Sequence, residues 1–246
     1  MSKQLAKAPV NQLLDKLPVA EQSLILSHGK EVKLSFGDIL SLEGKSHASA
    51  YFPLTGMISL VTNVDESAPL EMGMIGNEGL LGATLVLGVD EAPLRAVVQA
   101  KGSALRIPAA ALQDLLQDCP VLTRRLNHYL YVLMSQLNSA AGCRHFHPVS
   151  ERLVRWLLMT DDRIATHSMH LTQQFLADML GVQRSAVSIA AGALQASNLI
   201  SYSRGKIKVL NRKGLENAAC SCYSGIVKIQ KAYRPEEALV AQQTRR

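Results

Sequence analysis

The sequence predicts an α+β fold in which an N-terminal antiparallel β-roll is followed by one long helix and a C-terminal helical domain. Three observations support this prediction: glycines separate short apolar runs between residues 31 and 106, an apolar heptad pattern follows, and two amphipathic helical patterns then precede a basic hairpin. We expect a β domain at 1–108, a long helix with a hinge at 109–147, a second domain at 148–220 and a C-terminal tail at 221–246, which we predict to be disordered after Tyr233.

The β domain is predicted from short segments with β-branched and aromatic residues. Such segments occur at 31–36, 56–62 and 96–100, and glycines lie between them at the spacing of turns. Short strands joined by glycine turns are typical of a barrel or roll built from antiparallel pairs.

The long helix is predicted to begin near Pro120, because proline is favoured in the first turn of a helix. Four leucines then recur at intervals of 4, 3 and 4, which gives the helix one continuous apolar stripe: Leu126, Leu130, Leu133 and Leu137. Such a stripe either packs on the chain's own β domain or pairs with a second copy in a homodimer, and both interpretations stay open. Residues 143–148 are expected to break the helix and form a hinge.

The segment from 171 to 210 predicts a winged helix-turn-helix. Thr172 is placed to cap a first helix, and Gly181 can take the left-handed conformation that ends it. A second helix begins near Gln183, after which Arg204-Gly205 forms the turn of a hairpin. The apolar side of this second helix is predicted to consist of Val187, Ala191 and Leu194.

This motif can present a helix to the major groove of double-stranded DNA and a cationic ribbon to the phosphates. The residues predicted to contact bases lie at the start of the second helix: Arg184, Ser185 and Ser188. The residues predicted to contact phosphates lie at the start of the first helix and along the hairpin: Thr172, Gln173, Arg204, Lys206 and Lys208. The alternative is a regulatory module that binds a small molecule or a protein partner and uses the winged helix for protein interaction.

Charge is segregated along the chain. The net charge is +6, with 12 basic against 13 acidic residues in 1–147 and 14 against 7 in 148–246. Local positive charge of this kind suits phosphate binding, although a solvated basic surface would show the same count. The sequence contains no long apolar span, no secretory signal and no motif of a hydrolase, a phosphate-binding loop or a zinc peptidase, so we expect a cytoplasmic protein that is not an enzyme and does not contact a membrane.

Cysteines and histidines near the hinge were weighed as metal ligands. Cys143, His145 and His147 lie close together in sequence, and Cys220 and Cys222 form a second short pair. The first group is explained by chance proximity in a hinge, and the second is shorter than the usual structural zinc spacing. The sequence therefore predicts no metal and no cofactor.

Segments of both predicted domains resemble the Crp/Fnr family of bacterial transcription regulators. The resemblance is carried by residues 33–45, 51–60 and 75–82 in the β domain and by 152–158 and 171–210 in the second domain. It implies a cyclic-nucleotide-binding-like β-roll that responds to a small-molecule effector, a dimerisation helix and a winged helix that binds operator DNA. It also implies RNA polymerase as a partner.

Three departures limit what the resemblance implies for this chain. Glu78 and Arg95 are the candidates for effector binding, but Gly82-Ala-Thr stands where the phosphate cassette has Gly-Glu-Leu, and Arg95 is displaced by one residue, so cyclic AMP is not the expected ligand. The second helix has Ser185 and Ile189 where cyclic-AMP-responsive members have glutamate and a further arginine, so the operator is expected to differ. No cysteine precedes Cys119, which argues against the iron–sulfur centre of the oxygen-sensing members.

Overall fold

Two long antiparallel strands form the centre of the N-terminal sheet in the computed structural model, which describes residues 10–62, 69–164 and 168–233. The strands are β1 (Lys30–Leu34), β2 (Ile39–Ser41), β3 (Ser49–Thr62), β4 (Leu70–Ile75) and β5 (Arg95–Pro108). Their order is β1-β5-β3-β4, with β2 also paired to β5, and every pairing is antiparallel. This architecture confirms the predicted antiparallel β-roll.

Three helical segments close one side of this sheet. They are α1 (Val19–His28), a 3-10 helix (Ala83–Leu87) and α2 (Ala109–Asp118). Phe52 and Ile107 from the sheet and Leu112 from α2 are fully buried in one apolar cluster. The β domain therefore has a core of its own.

The long helix α3 runs from Pro120 to Phe146. A residue distant in sequence caps its N-terminus. The Glu21 carboxylate accepts hydrogen bonds from the backbone N–H groups of Val121 (3.0 Å) and Leu122 (2.9 Å), which have no partner within the helix. The prediction of a hinge at 143–148 was wrong for its first four residues, which continue the helix. The break comes at His147, in extended backbone before Pro148, since a residue that precedes proline is disfavoured in the α conformation.

The leucine stripe of α3 faces mainly the protein's own β domain. Leu126 is fully buried among the residues of that core, while Leu130, Leu133 and Leu137 are half-buried. Leu126 is therefore unavailable to a second subunit, which corrects its assignment to a dimer interface. The large apolar side chains that α3 exposes are Tyr131 (49 %) and Met134 (61 %) in its middle and Phe146 (77 %) at its last residue.

The described part of the second domain, residues 149–164 and 168–233, contains five helices and a small sheet. They are α4 (Val149–Asp161), β6 (Ser168–His170), α5 (Gln173–Leu180), α6 (Arg184–Ala196), β7 (Ile200–Ser203), β8 (Lys206–Val209), α7 (Arg212–Ala218) and α8 (Ser221–Ala232). Strand β6 and helix α8 were not predicted. Helix α8 occupies the start of the segment assigned to the tail, because Tyr223 and Ile226 bury its inner face. The residues after Tyr233 that were predicted to be disordered lie outside the described residues.

The two domains share apolar contacts. Met57, Val61 and Met74 of the sheet belong to the same buried cluster as Trp156 and Leu157 of α4. Among the helices described, none has both the length and the apolar character needed to cross a membrane.

Candidate nucleic-acid interface

The first helix of the motif, α5, is fixed at both ends by local interactions. Thr172 is its N-cap, and its Oγ1 accepts a hydrogen bond from the Phe175 backbone N–H over 3.0 Å. At the other end Gly181 has φ +61°, and its N–H bonds back to the carbonyls of Ala177 and Asp178. Both predictions of helix ends are confirmed, and the sharp turn directs the chain into α6.

The second helix, α6, separates a buried side from an exposed side. Val187, Ala191 and Leu194 are buried as predicted, and Ala190 joins them. On the opposite side Arg184 and Ser185 are exposed at the N-terminal end of the helix, and Ser188 is half-buried. The first turn of α6 is therefore exposed, as it must be in a helix that enters the major groove of DNA.

Ile189 completes the exposed side of α6. Its side chain is 75 % exposed, and it lies one residue beyond Ser188. In the sequence, Ile189 stands out only as a departure from the family, and no contact role is predicted for it. Its position one turn after Ser185 was the signal that could have identified it.

Two of the predicted DNA-contacting residues are bonded to each other. The Ser188 hydroxyl donates a hydrogen bond of 2.6 Å to Oε1 of Gln173, which joins the exposed sides of α5 and α6. This contact holds the Gln173 amide beside the N-terminal half of α6. The pair therefore forms one polar surface rather than two independent side chains.

The hairpin after α6 forms the predicted wing. Arg204 (φ +48°) and Gly205 (φ +75°) both have positive φ, as a two-residue hairpin turn requires, and Lys206 and Lys208 alternate with the buried Ile207. The lysines were expected on the edge of a two-stranded ribbon. Because β6 pairs with β8, the sheet order is β6-β8-β7, so both lysines project from the exposed face of the central strand.

A tyrosine joins the wing to the start of α5. The Tyr202 hydroxyl donates a hydrogen bond of 2.9 Å to the Leu171 carbonyl, and the Leu171 N–H donates to the Gly205 carbonyl over 2.6 Å. Burial raises the pKa of Tyr202, so the hydroxyl keeps the proton that it donates. The wing is thereby held at a fixed position beside α5.

The three elements meet around one open cleft of about 590 Å³. Its lining comprises the start of α5, the first residue of α6 and the wing turn: Thr172, Gln173, Gln174, Arg184, Tyr202, Arg204 and Gly205. Four of the residues predicted to contact DNA therefore line a common surface. Lys206 and Lys208 follow directly after it on β8.

The predicted effector residues are not brought together. Glu78 forms an ion pair with Arg163 of the second domain over 2.7 Å, and the two clefts beside Glu78 are not lined by Arg95. Arg95 lies on β5, opposite Val61 of β3. In this conformation Glu78 contacts the second domain and forms no joint binding site with Arg95.

A group of possible metal ligands is assembled where none was predicted. The side chains of Cys143, His147, Cys220 and Cys222 place one ligand atom each within 4.8 Å of one another, whereas His145 is exposed and takes no part. From sequence alone, neither half of this cluster is predicted to bind a metal. Each half offers only two ligands, and the fold is needed to combine them.

Comparisons with known proteins agree with this architecture. Residues 151–218 match the family model of the Crp-like helix-turn-helix domain. FixK2 from Bradyrhizobium japonicum superposes with a TM-score of 0.65 at 16% identity, over 78% of this chain and 98% of that chain. The c-di-GMP-responsive global regulator CLP of Xanthomonas campestris superposes with a TM-score of 0.64 at 19% identity, over 78% of this chain and 99% of that chain. A third structure, reported as a putative transcriptional regulator of the Crp/Fnr family from Eubacterium rectale, superposes with a TM-score of 0.63 at 18% identity. The superposition covers 84% of this chain and 96% of that chain.

No curated protein sequence matches the chain. The structural likeness at these identities establishes the fold, and the family model establishes the nature of the second domain. The chain therefore joins a Crp-like helix-turn-helix domain, a DNA-binding module, to a β-roll and a long helix in the fold of the Crp/Fnr transcription regulators, as the resemblance in its sequence predicts.

Proposed function

We propose that the protein regulates transcription by binding operator DNA as a homodimer through its winged helix-turn-helix. The observation that carries the proposal is the shared cleft in which the starts of α5 and α6 and the turn of the wing meet. A helix of the size of α6 fits the major groove, and the cations of the wing beside it would contact the adjacent phosphates.

The residues divide by chemistry into two roles. Arg184 has a planar guanidinium that can bond the two acceptors of a guanine edge, and Ser185 and Ser188 can bond base edges as donors or acceptors. Ile189 offers an apolar contact suited to a thymine methyl group. These side chains would read sequence.

The remaining residues would position the protein on the duplex. Thr172 and Gln173 lie at the N-terminus of α5, where backbone N–H groups favour an anion. Arg204, Lys206 and Lys208 supply positive charge from the wing. Contacts of this kind add affinity that depends steeply on salt and little on base sequence.

A homodimer would present two α6 helices about one turn of DNA apart. The side of α3 that carries the exposed Tyr131 and Met134, flanked by the half-buried Leu130, Leu133 and Leu137, supports this assembly. Apolar side chains of this size on a long helix are favourable to bury against a second copy. We place the dimer contact on this side of α3.

The β-roll would carry the signal. Its glycine-rich loop bears Glu78, which is paired to Arg163 at the end of α4, so a ligand that alters this loop would act directly on the DNA-binding domain. RNA polymerase would be the further partner through which operator binding affects transcription.

Selection of genomic fragments by the purified full chain tests the proposal. We expect enrichment of a sequence with two related half-sites whose centres lie about 10 base pairs, or a multiple, apart. Binding to the enriched fragment should weaken steeply as salt is raised. Failure to enrich any fragment at low salt would contradict the proposal and favour a protein-interaction role for the winged helix.

A further inference from the structure

The cysteine–histidine cluster at the end of α3 has the dimensions of a metal site. The Sγ atoms of Cys143 and Cys220 are 3.6 Å apart, and Sγ of Cys222 lies 3.6 Å from Nδ1 of His147. For a tetrahedral ion with bonds of about 2.3 Å to sulfur, the ligand atoms lie roughly 3.7 Å apart along each edge. The observed separations agree with such an edge.

Two helix ends bring the ligands together. Cys143 lies in the last turn of α3 and His147 is the residue that follows the helix; the His147 N–H donates a hydrogen bond of 3.1 Å to the Cys143 carbonyl, which holds both residues at the same helix end. Cys220 is the N-cap of α8 and Cys222 is the second residue of that helix. Neither pair alone could saturate an ion, so the site exists only when α8 packs against α3.

The surroundings are suited to thiolates. Arg155 lies near both Cys143 and Cys220, and Arg144 and Arg152 lie near Cys143. An ion of charge +2 with three thiolates and a neutral imidazole carries a net charge of −1, which these arginines offset. Cys143 (1 %) and Cys220 (5 %) are almost fully removed from solvent, as ligands in a closed site are.

A disulfide explains the cluster less well. It requires the two sulfur atoms at about 2.05 Å, and it would leave Cys222 and His147 without a role although both point at the same centre. The sulfur-rich donor set and four-fold coordination favour Zn²⁺ among the divalent ions.

We propose that Cys143, His147, Cys220 and Cys222 form a closed, four-coordinate site for Zn²⁺. All four positions are filled by protein atoms, so the ion would act on structure and have no open position for a reacting ligand. It would fix the end of α3 to α8, across the junction at His147 and Pro148 where the DNA-binding domain begins.

The site would also reach the DNA-binding domain through α8. Tyr223 accepts a hydrogen bond of 2.6 Å from Arg212 of α7, and Arg212 pairs with Asp161 of α4 over 2.6 Å. Occupancy of the site would therefore stabilise one orientation of that domain on α3. This last step rests on the proposed function, whereas the metal site does not.

The test is metal binding by the full chain in the absence of DNA. Protein purified under reducing conditions should contain one zinc per chain by elemental analysis. After chelation, Co²⁺ should bind at the same ratio and give the visible absorption of a tetrahedral thiolate complex, which Zn²⁺ then displaces. A thiol reagent should modify the half-buried Cys222 more slowly in the zinc form than in the metal-free form.

Matched variants identify the ligands. Cys222→Ser and His147→Ala, which alter half-buried positions, should each weaken zinc binding by more than about 100-fold. His145→Ala changes an exposed histidine on the same helix end, and Cys119→Ala removes a thiol in the core of the β domain, so both should keep full zinc content.

The proposed site is wrong if the folded wild-type protein contains no stoichiometric zinc and gives no tetrahedral cobalt spectrum. It is also wrong if Cys143 and Cys220 instead form a disulfide that blocks metal binding. Equal loss of zinc in the His145 and His147 variants would also overturn it. Because these measurements use no DNA, their failure is distinct from failure to bind an operator.

Discussion

Arg163 donates a hydrogen bond from Nε to Oε1 of Glu78 over 2.8 Å, and this contact joins the end of α4 to the glycine-rich loop of the β-roll. The Arg163 side chain is 3 % exposed and that of Glu78 is 17 % exposed. A second bond, from Arg163 to the Met159 carbonyl over 2.7 Å, holds the guanidinium in place. The loop that the sequence analysis assigned to effector binding is thus bonded to the DNA-binding domain.

Glu78→Gln should lower the free energy of unfolding by about 3 kcal/mol, because it removes the carboxylate that is directly paired with the buried Arg163 charge. Chemical denaturation of the full chain measures this change. Glu216→Gln is the control, since Glu216 pairs with Arg212 at a site where its side chain is 44 % exposed, and it should cost less than about 1 kcal/mol. Similar losses for the two variants would show that the Glu78 pair does not hold the domains together.

Glu71 should make stability depend on pH. Burial raises its pKa from 4.5 to about 7, and the hydrogen bond of 2.5 Å from Ser59 together with the charges of Arg155 and Arg163 only partly opposes this. The folded state therefore binds a proton that the unfolded state has already released, so this contribution to stability is present below about pH 4.5 and is lost as pH rises through 7.

Glu71→Gln should accordingly flatten the decline in stability between pH 5 and 8 and should raise stability at pH 8 by up to about 3 kcal/mol. Unfolding midpoints measured across this range test the expectation. Glu31→Gln, at an exposed position of β1, is the control for loss of a carboxylate. An unchanged pH profile for Glu71→Gln would contradict the assignment of the raised pKa to this residue.

Met134→Glu should convert the proposed homodimer to monomers. Burial of a carboxylate in an apolar contact is unfavourable, so the dissociation constant should rise at least about tenfold, whereas the fold should persist because Met134 is exposed in the single chain. Sedimentation equilibrium measures the change. Val19→Glu alters an apolar residue of α1 that is 79 % exposed and should leave the dimer intact. A dimer unaffected by Met134→Glu would place the interface elsewhere.

Lys206→Ala and Lys208→Ala should each weaken binding to operator and to random DNA by the same factor. Each should also reduce the slope of log affinity against log salt by about 1, since each removes one phosphate contact. Titrations at several salt concentrations give this slope. Lys33→Ala removes an exposed strand lysine in the β domain and should change neither quantity. If both wing variants keep the wild-type slope of log affinity against log salt, the wing does not contact phosphates in the complex.

The winged helix was predictable because its signals are local. The cap at Thr172, the turn at Gly181 and the hairpin at Arg204-Gly205 each depend on a few neighbouring residues, and the structure confirms all three. The buried side of α6 follows from helical periodicity alone. The short strand β6 was missed because three residues give too little pattern to recognise.

Features that depend on contacts distant in sequence were not predictable in the same way. Helical spacing identified the leucine stripe of α3 but could not decide which side faces the β domain, and Leu126 proved to lie in that core. Cys143 and Cys220 are 77 positions apart, so their proximity appears only once α8 packs on α3. Glu78 was recognised as a candidate, but its partner comes from the other domain.

Arg184→Ala tests whether the exposed start of α6 reads the base sequence of the operator. Competitive titration of the selected operator against random DNA should show a loss of discrimination of about 1–3 kcal/mol, while affinity for random DNA changes little. Arg204→Ala, which removes the same charge from the wing turn, should weaken both equally. If Arg184→Ala lowers the two affinities by the same factor, Arg184 contacts only phosphate and the reading face assigned to α6 is wrong.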